Sequence, residues 1–144
     1  MKQIQLTQGK IALVDDEDYE RLSMFKWFYN TGYACKNSDI QKMHRMINDT
    51  PKGFVTDHIN GDTLDNRKAN LRTATHKQNM ANRKVHSNSI SGIKGVAWVE
   101  RNKRWKARIV LNGKDKHLGY FDTPEAARVK YLEAARISFG EFAR

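Results

Sequence analysis

The sequence predicts an α+β fold in two parts, a mixed N-terminal domain over residues 1–87 and a smaller C-terminal domain over residues 92–144. In the first part, short strand-like and helix-like segments follow one another. In the second part, three consecutive strand-like segments precede one helix, which predicts a three-stranded antiparallel sheet packed on that helix. Residues 88–91 are small or polar apart from Ile90 and have no periodic apolar pattern, so we predict a linker there.

The N-terminal segment predicts two short strands and then a helix. Ile4 and Leu6 alternate with polar residues, and an apolar run over residues 12–14 forms the second predicted strand. The acidic run over residues 15–18 has two interpretations, a metal site or the first turn of a helix. The helix start is favoured, because acidic side chains can cap a helix and interact favourably with its dipole.

The middle of the first part predicts several further short elements. "KWFYNTGYACK" is typical of a strand, a turn and a strand, and "KMHRMI" predicts another short strand. "THKQNMANRK" predicts a helix, because Thr75 followed by Gln78 is a capping-box pattern. Cys35 lies among predicted strand residues, and we expect it to be a small buried packing group, not a nucleophile.

The second part has clear turn and helix-start signals. "GVAWV", "RWKARIVL" and "KHLGYF" are strand-like, and Asn112-Gly113 between the last two predicts a hairpin. Thr123 is a good N-cap, and Pro124 occupies the first helical position, where proline is favoured. The following residues place small apolar side chains and Tyr131 on one helical face, which we expect to cover the sheet.

The composition favours a polyanionic partner and argues against several classes of protein. The chain has 144 residues, with 26 Lys or Arg against 16 Asp or Glu and a net charge of +10. No apolar run approaches the roughly 20 residues of a membrane helix, and the first residues lack the apolar core of a signal peptide. A basic membrane-surface protein is the rival interpretation, but no long basic amphipathic helix supports it. A single cysteine provides neither an internal disulfide nor a Cys-rich zinc site, so we expect a reducing, cytoplasmic setting.

Alternation along the middle strand of the C-terminal sheet predicts a basic open face. Trp105, Ala107 and Ile109 suit the side that the helix covers, whereas Lys106 and Arg108 point the other way. From residue 88 onward there are 12 Lys or Arg against 6 Asp or Glu. Any exposed sheet face is commonly polar, but this excess of positive charge favours nucleic acid binding. The candidate DNA-binding residues of this part are Lys94, Arg101, Lys106, Arg108 and His117.

The stretch "DHINGD" over residues 57–62 carries the candidate chemistry. Cleavage of a phosphodiester needs a base, a divalent metal ion and a frame that holds both. Asp57 and His58 are adjacent; strand neighbours point to opposite faces, so only a bend at the following loop lets both serve one site. A strand, a loop and a helix of this length could bring Asn79 back beside Asp57. One carboxylate and one amide, with waters and the substrate phosphate, suffice for magnesium.

These residues resemble a known family. "MHRMI…TDHINGDTLDNRKANLRTATHKQNMANR" resembles HNH endonucleases of the phage and homing type, and the resemblance runs from about residue 15 to residue 83. The order Asp57-His58, Asn70, Asn79 is similar to the ββα-metal signature of that family, with its core at about residues 44–84. The resemblance implies that His58 is the general base, that Asp57 and Asn79 hold one divalent cation, and that Asn70 ties the loop so that His58 is aimed correctly.

The same resemblance implies a cofactor and further contacts. The cofactor is one divalent cation, Mg²⁺ or Mn²⁺, and no structural zinc is expected. His44 matches a family position near the site, and two interpretations remain open: it contacts the phosphate together with Arg45, or it is a packed or solvent-facing histidine. The candidate DNA-binding residues of this part are His44, Arg45, Arg72 and Arg83.

The C-terminal part resembles a second family. "GVAWVERNKRWKARIVLNGKDKHLGYFDTPEAARVKYLEAA" is similar to the plant ethylene-response-factor (Apetala) DNA-binding domain, in the version appended to phage HNH nucleases. The resemblance implies that the three-stranded sheet binds the DNA major groove. Ala97 and Val99 stand where plant members carry base-contacting arginines, and His117 stands where they carry tryptophan. The plant sequence preference is therefore not expected to carry over.

The leading interpretation is a metal-dependent DNA endonuclease that nicks DNA or cleaves both strands. The alternative is a DNA-binding regulator with an inactive nuclease domain, but the presence of both Asp57 and His58 favours the enzyme. A structure-specific RNA nuclease is a third interpretation. The expected partner is double-stranded DNA, with no membrane partner and no obligatory protein partner evident; for a phage-encoded protein the compartment is the bacterial host cytoplasm. Since Asp57 and His58 are assigned to chemistry, their replacement is expected to spare the melting transition.

Overall fold

The fold is known from a computed structural model, which describes residues 1–36, 40–82, 85 and 89–143. The chain divides into two compact units, residues 1–79 and residues 80–144. The domain boundary predicted from the sequence, at residue 87, lies eight residues further along the chain. Both units combine strands and helices, so the predicted mixture of α and β structure is present.

The described residues of the first unit form three small antiparallel sheets and three α-helices. The two N-terminal strands and the helix that follows are predicted by the sequence, and the structure pairs the strands as a hairpin; the helix begins directly after Asp15 within the acidic run. The last helix extends three residues beyond the unit. In chain order the elements are β1 (Lys2–Gln5), β2 (Ile11–Val14), α1 (Asp16–Ser23), β3 (Phe28–Asn30), β4 (Tyr33–Lys36), β5 (Gln41–Lys42), α2 (Met43–Asn48), β6 (Val55–His58), β7 (Leu71–Ala74) and α3 (His76–Asn82).

The prediction of a strand over "KMHRMI" is wrong. Apart from its first residue, the segment lies in helix α2, which follows the two-residue strand β5. Met43 and Ile47, one helical turn apart, are buried in the core of the unit, and Met46 packs against the same core. Apolar residues at this spacing form one face of a helix, but a run of six residues is too short to separate that period from a strand. The helix ends at Asp49, whose φ of 42° is left-handed.

The core of the first unit joins the N-terminal hairpin to the helices. Ala12 and Val14 of β2 are fully buried beside Leu22 of α1. The indole nitrogen of Trp27 donates to the carbonyl oxygen of Leu22 over 2.8 Å, so the polar atom of a large buried ring is satisfied. Cys35 is buried as predicted, and burial raises the pKa of its thiol. The buried residues of this core cluster are Ile4, Leu6, Ala12, Val14, Leu22, Trp27, Ala34, Met43, Ile47 and Leu71.

The described residues of the second unit form the three predicted strands and one long helix. The strands β8 (Val96–Val99), β9 (Arg104–Leu111) and β10 (Lys114–Phe121) form an antiparallel sheet with β9 in the centre. Helix α4 (Pro124–Phe139) begins as predicted, because the hydroxyl of Thr123 accepts a hydrogen bond from the amide of Ala126 over 3.2 Å.

Helix α4 covers one face of this sheet. Ala127, Tyr131 and Ala135 are buried on the helix, and Ala107 and Ile109 are buried on β9. The opposite face of β9 presents Arg108 and Val110 to solvent. One face of the sheet therefore belongs to the core and the other is available for contacts.

No helix within the described residues is long and apolar enough to cross a membrane.

Candidate active site

Strand β6 ends at the two residues that carry the candidate chemistry. Asp57 and His58 pair in register with Arg72 and Leu71 of β7. Both side chains are buried, with 3% of Asp57 and 5% of His58 exposed. A buried carboxylate and a buried imidazole need polar partners, because desolvation without compensation costs free energy. The partners of each side chain therefore define the site.

The carboxylate of Asp57 is paired with Arg72 across the two strands. Arg72 Nε lies 2.9 Å from Asp57 Oδ2, and the Arg72 side chain is only 13% exposed. The two residues face each other in the antiparallel register, so the ladder itself sets their separation. Arg72, predicted from the sequence to bind DNA, thus directs its guanidinium to a carboxylate within the site.

The imidazole of His58 is held by an asparagine and by two aromatic rings. His58 Nε2 lies 3.3 Å from Asn66 Oδ1. The ring of His44 meets the ring of His58 edge to face, with 5.0 Å between centroids. Tyr33 contacts both rings, with centroids 5.1 Å from His44 and 6.3 Å from His58. His44 is therefore buried beside the candidate base, and its proposed contact with the substrate phosphate stays a prediction.

Burial keeps both histidines in their neutral form near neutral pH. It lowers the pKa of His58 below its ordinary value, although the hydrogen bond that Asn66 Oδ1 accepts from the ring and the negative charges of Asp57, Asp62 and Asp65 act in the opposite direction. Burial also lowers the pKa of His44 to about 3, with smaller contributions from His58, Lys42 and Arg45. A neutral imidazole can accept a proton, and His58 is therefore in the form that a general base requires.

A hydrogen-bonded loop follows His58 and returns to β7. The amide of Gly61 donates to the His58 carbonyl over 2.9 Å, and Gly61 has a φ of 72°, a conformation that glycine adopts without steric cost. Asn70 spans the loop: its Oδ1 accepts from the Asn60 amide at 2.9 Å, and its Nδ2 donates to the Asp65 carbonyl at 2.8 Å. The side chain of Asp65 is bound by Arg67 over 2.7 Å and 2.6 Å. The loop is thus ordered by its own polar side chains.

The N-terminal part of the chain supports this loop from outside. The amide of Leu13 in β2 donates to the Leu64 carbonyl over 2.9 Å, and the Asn66 amide donates to the Leu13 carbonyl over 2.8 Å. The carboxylate of Asp15 accepts from the Lys68 amide over 2.8 Å. The acidic run therefore does more than begin helix α1, since its first residue binds the loop that carries Asn66.

Helix α3 follows β7 and carries the predicted fourth residue of the site. Thr75 and Gln78 form the predicted capping box: the Thr75 amide donates to Gln78 Oε1 over 2.8 Å, and the Gln78 amide donates to Thr75 Oγ1 over 3.3 Å. Asn79 lies in the first turns of this helix and is half-buried.

The remaining predicted DNA-binding residues lie in several environments. Arg45 is exposed and donates to the carbonyls of Phe54 and Thr50 over 3.4 Å each. The ammonium of Lys94 donates to the carbonyls of Met80 and Ala81 at the end of α3. Arg101 is exposed in the turn between β8 and β9, and Arg83 lies outside the described residues.

The open face of the C-terminal sheet is basic and carries aromatic side chains. Lys106 stands in register with Ala97 on one side and Tyr120 on the other, and Arg108 stands in register with His117. The rings of His117 and Tyr120 are in contact, with 4.8 Å between centroids. Arg108 Nη1 forms an exposed ion pair with Asp115 Oδ2 at 2.5 Å. Positive charges beside exposed rings are typical of a nucleic acid interface.

Comparison with known proteins identifies the family. A family model described as HNH endonuclease matches residues 49–81, the segment that contains β6, the loop, β7 and most of α3. An uncharacterised HNH endonuclease of Acanthamoeba polyphaga mimivirus is 33% identical in an alignment of 144 positions, gaps included, that covers 94% of this chain and 74% of that protein. The chain belongs to the HNH endonuclease family.

A second relative extends the similarity to a bacterial virus. Protein 3.8 of Escherichia phage T7 is 31% identical over 116 residues, which cover 81% of this chain and 95% of that protein. No solved structure matches the chain. Membership of the HNH family indicates a nuclease and implies a DNA substrate.

The HNH family generally uses a divalent metal ion, and the residues at this site suit a hard cation. Among the described residues, no group of three or more His, Cys, Asp or Glu side chains is arranged to hold a metal. Magnesium does not need such a cage, because it is usually bound through one or two carboxylates, waters and substrate phosphates. The buried carboxylate of Asp57 and the amide of Asn79 are oxygen donors of this kind.

The sequence did not identify Asn66 and Tyr33 as part of the site. Asn66 is 1% exposed and contacts His58, but an asparagine in a polar stretch indicates a turn, and no spacing rule marks this one. Tyr33 lies in an aromatic strand and reaches the site through its contacts with His44 and His58. Neither contact has a local sequence signal, because both join segments that are distant in the chain.

Replacing Asn70 by alanine is expected to reduce stability and cleavage together. The change removes both hydrogen bonds of the Asn70 amide and leaves the Asn60 amide and the Asp65 carbonyl without that partner, which costs about 1–3 kcal/mol in free energy of unfolding. Thermal unfolding and a plasmid cleavage rate measure the two effects, with Asn102→Ala in an exposed turn as the control. Lost activity at unchanged melting temperature would instead assign Asn70 a direct part in the reaction.

Proposed function

We propose that the protein is a metal-dependent DNA endonuclease that hydrolyses phosphodiester bonds, either by nicking or by cleaving both strands. The observation that carries this proposal is the buried pair Asp57-His58 within the segment matched by the HNH family. His58 is neutral near neutral pH because its burial lowers its pKa, and Asp57 supplies a buried negative charge next to it. A base beside an anionic oxygen donor is the minimum that metal-assisted hydrolysis of a phosphodiester requires.

His58 is proposed to act as the general base. Its imidazole accepts a proton from a water molecule as the water oxygen forms a bond to phosphorus. The bond between phosphorus and the 3′-oxygen breaks, and the leaving oxygen takes a proton from solvent. The products are a 5′-phosphate and a 3′-hydroxyl. The ring contact with His44 and the hydrogen bond with Asn66 hold the imidazole during the proton transfer.

Asp57 and Asn79 are proposed to hold one divalent cation, Mg²⁺ or Mn²⁺. Such a cation neutralises charge on the phosphate and the leaving oxygen when it is bound. The ion pair with Arg72 keeps Asp57 at the end of β6, and the capping box fixes the start of the helix that carries Asn79. Asn70 is proposed to act as a frame residue, through its two hydrogen bonds to the loop after His58.

Removal of the divalent cation is expected to stop cleavage without unfolding the protein. The described residues include no cluster of metal-binding side chains on which folding would depend, and the core of the first unit is apolar. The experiment compares cleavage of duplex DNA in magnesium and in EDTA, with thermal unfolding in both buffers and RNA as a competitor substrate. Equal cleavage in EDTA would contradict the metal-dependent mechanism, and stronger inhibition by RNA than by unlabelled DNA would favour an RNA substrate.

The C-terminal sheet is proposed to bind the target as an Apetala-like module. Its open face combines Lys106 and Arg108 with the exposed rings of His117 and Tyr120. Phosphate contacts supply affinity at such a face, and the side chains that reach base edges supply sequence preference. Ala97 lies in register with Lys106 on this face and brings no hydrogen-bonding group of its own, so we expect direct readout to depend on β9 and β10.

Charge reversal at Lys106 is expected to weaken DNA binding and to reduce its salt dependence. Each phosphate contact that is lost lowers the slope of log K against log salt by about one. The described residues place no carboxylate within ion-pair distance of Lys106, whereas Arg108 is already paired with Asp115. The matched control is Arg128→Glu, an equal change of charge on the exposed side of α4. Salt titrations of binding to a labelled duplex measure both variants, and equal effects would show that net charge, not the sheet face, determines affinity.

A further inference from the structure

The side chain of Asn66 is oriented by two contacts on opposite sides. Its Nδ2 donates to the carbonyl oxygen of Leu64 over 3.2 Å, and its Oδ1 lies 3.3 Å from Nε2 of His58. A carbonyl oxygen only accepts hydrogen bonds, so the atom beside Leu64 must be the amide nitrogen. The atom that faces His58 is therefore the amide oxygen.

The orientation of this amide decides which nitrogen of His58 carries the proton. An amide oxygen also only accepts, and a hydrogen bond between it and His58 requires a proton on Nε2. In a neutral imidazole only one nitrogen is protonated, so the lone pair that can take up a further proton is then on Nδ1. The contact with Asn66 thus favours one tautomer of His58 over the other.

The position of Asn66 is fixed by the core of the first unit. Its backbone amide donates to the carbonyl of Leu13 over 2.8 Å, and Leu13 in turn donates to Leu64 over 2.9 Å. Leu13 lies in β2 between Ala12 and Val14, which are both fully buried. The amide that faces His58 is therefore anchored to a strand more than forty residues earlier in the chain, and it does not depend on the loop alone.

The ring of His58 is also restrained on a second side. His44 meets it edge to face with 5.0 Å between centroids and an interplanar angle of 84°. A half-turn of the His58 ring about its bond to Cβ would direct a carbon instead of Nε2 at Asn66 and would lose the hydrogen bond. The packing with His44 and the hydrogen bond with Asn66 together define one ring orientation.

We propose that Asn66 is a positioning residue that holds His58 in the Nε2-protonated tautomer and so leaves Nδ1 as the atom that accepts the proton from water. The part that concerns proton transfer rests on the proposed nuclease function. The tautomer itself does not, because it can be observed in the resting protein. In this role Asn66 must provide a hydrogen-bond acceptor, and a side chain of similar shape without an acceptor does not replace it.

The direct test is the nitrogen spectrum of His58 in the intact protein. Long-range proton–nitrogen correlation of ¹⁵N-histidine-labelled protein at mildly alkaline pH distinguishes the two neutral tautomers, and loss of the signals in a His58→Gln sample assigns them. We expect the pattern of an Nε2-protonated ring. An Nδ1-protonated ring in the wild-type protein would overturn the inference, and this holds whether or not any variant of Asn66 folds.

Two variants that keep the branching and the number of side-chain heavy atoms of asparagine test the effect on the reaction. Asn66→Leu removes the acceptor, and we expect a mixture of tautomers and a loss of cleavage on the order of 10- to 100-fold, the usual effect of losing a group that orients a functional imidazole. Asn66→Asp keeps an acceptor, and we expect it to retain the Nε2-protonated ring and to recover most of the rate. Equal losses of cleavage in both variants would show that Asn66 contributes only through packing, and would overturn the inference. If the wild-type protein cleaves no DNA, the proposed function fails, while the tautomer is still decided by the spectrum.

Discussion

Replacing His58 by alanine is expected to lower the rate of DNA cleavage by roughly a hundredfold to ten-thousandfold, the usual contribution of a general base. The reason is that the neutral imidazole is the proposed acceptor of the proton from the attacking water. Binding to duplex DNA is expected to change little, because the basic sheet face lies in the other unit. The rate is measured under single-turnover conditions, and binding is measured in the absence of divalent cations.

The burial of His58 requires a second variant beside alanine. His58 is 5% exposed and packs against His44, so alanine leaves a cavity and is expected to lower the melting temperature. His58→Gln retains more of the volume and provides no base in the relevant pH range. His76→Ala, which removes an exposed histidine of α3, is the matched control. Cleavage by His58→Gln at the wild-type rate would eliminate His58 as the base.

Replacing Asp57 by alanine is expected to abolish cleavage and also to destabilise the protein. The sequence alone predicts that this replacement leaves the melting temperature nearly unchanged. The structure, however, gives Asp57 a second role in a buried ion pair with Arg72. The variant removes the carboxylate that binds the largely buried guanidinium of Arg72, and loss of one partner of a buried ion pair typically costs about 3–5 kcal/mol. Denaturant unfolding and plasmid cleavage measure the two effects.

A double variant separates these two roles of Asp57. Arg72→Leu combined with Asp57→Ala removes both charges, so it is expected to recover much of the stability that Asp57→Ala loses. It is not expected to recover cleavage, because the carboxylate is still absent. Recovery of cleavage together with stability would show that Asp57 acts only through the fold.

The sequence predicted those parts of the molecule whose signals are local. Thr75 with Gln78 predicted the start of α3, Thr123 with Pro124 predicted the start of α4, and both caps are present. Alternation along β9 correctly separated Ala107 and Ile109, which are buried, from Arg108, which is exposed. These signals succeed because capping and strand alternation depend on residues only a few positions apart.

Local sequence signals do not predict contacts between segments that are distant in the chain. The strand predicted over "KMHRMI" is helix α2, because burial of Met43 and Ile47 against the core decides between two short periodicities. The contact of Asn66 with His58 depends on Leu13, which fixes the loop from another part of the chain. The roles assigned to His58, Asn70 and Asn79 stay predictions that activity measurements must decide.

The central claim is that the site at Asp57 and His58 hydrolyses DNA, and the products of plasmid cleavage test it most directly. Supercoiled plasmid is incubated with magnesium and with wild-type protein or His58→Gln, and the nicked product is then treated with DNA ligase. We predict that the wild-type protein converts supercoiled plasmid to nicked or linear forms, that ligase reseals the nicks because they carry a 5′-phosphate and a 3′-hydroxyl, and that His58→Gln yields almost no product. Plasmid that stays supercoiled with the wild-type protein, or equal cleavage by both proteins, would contradict the account.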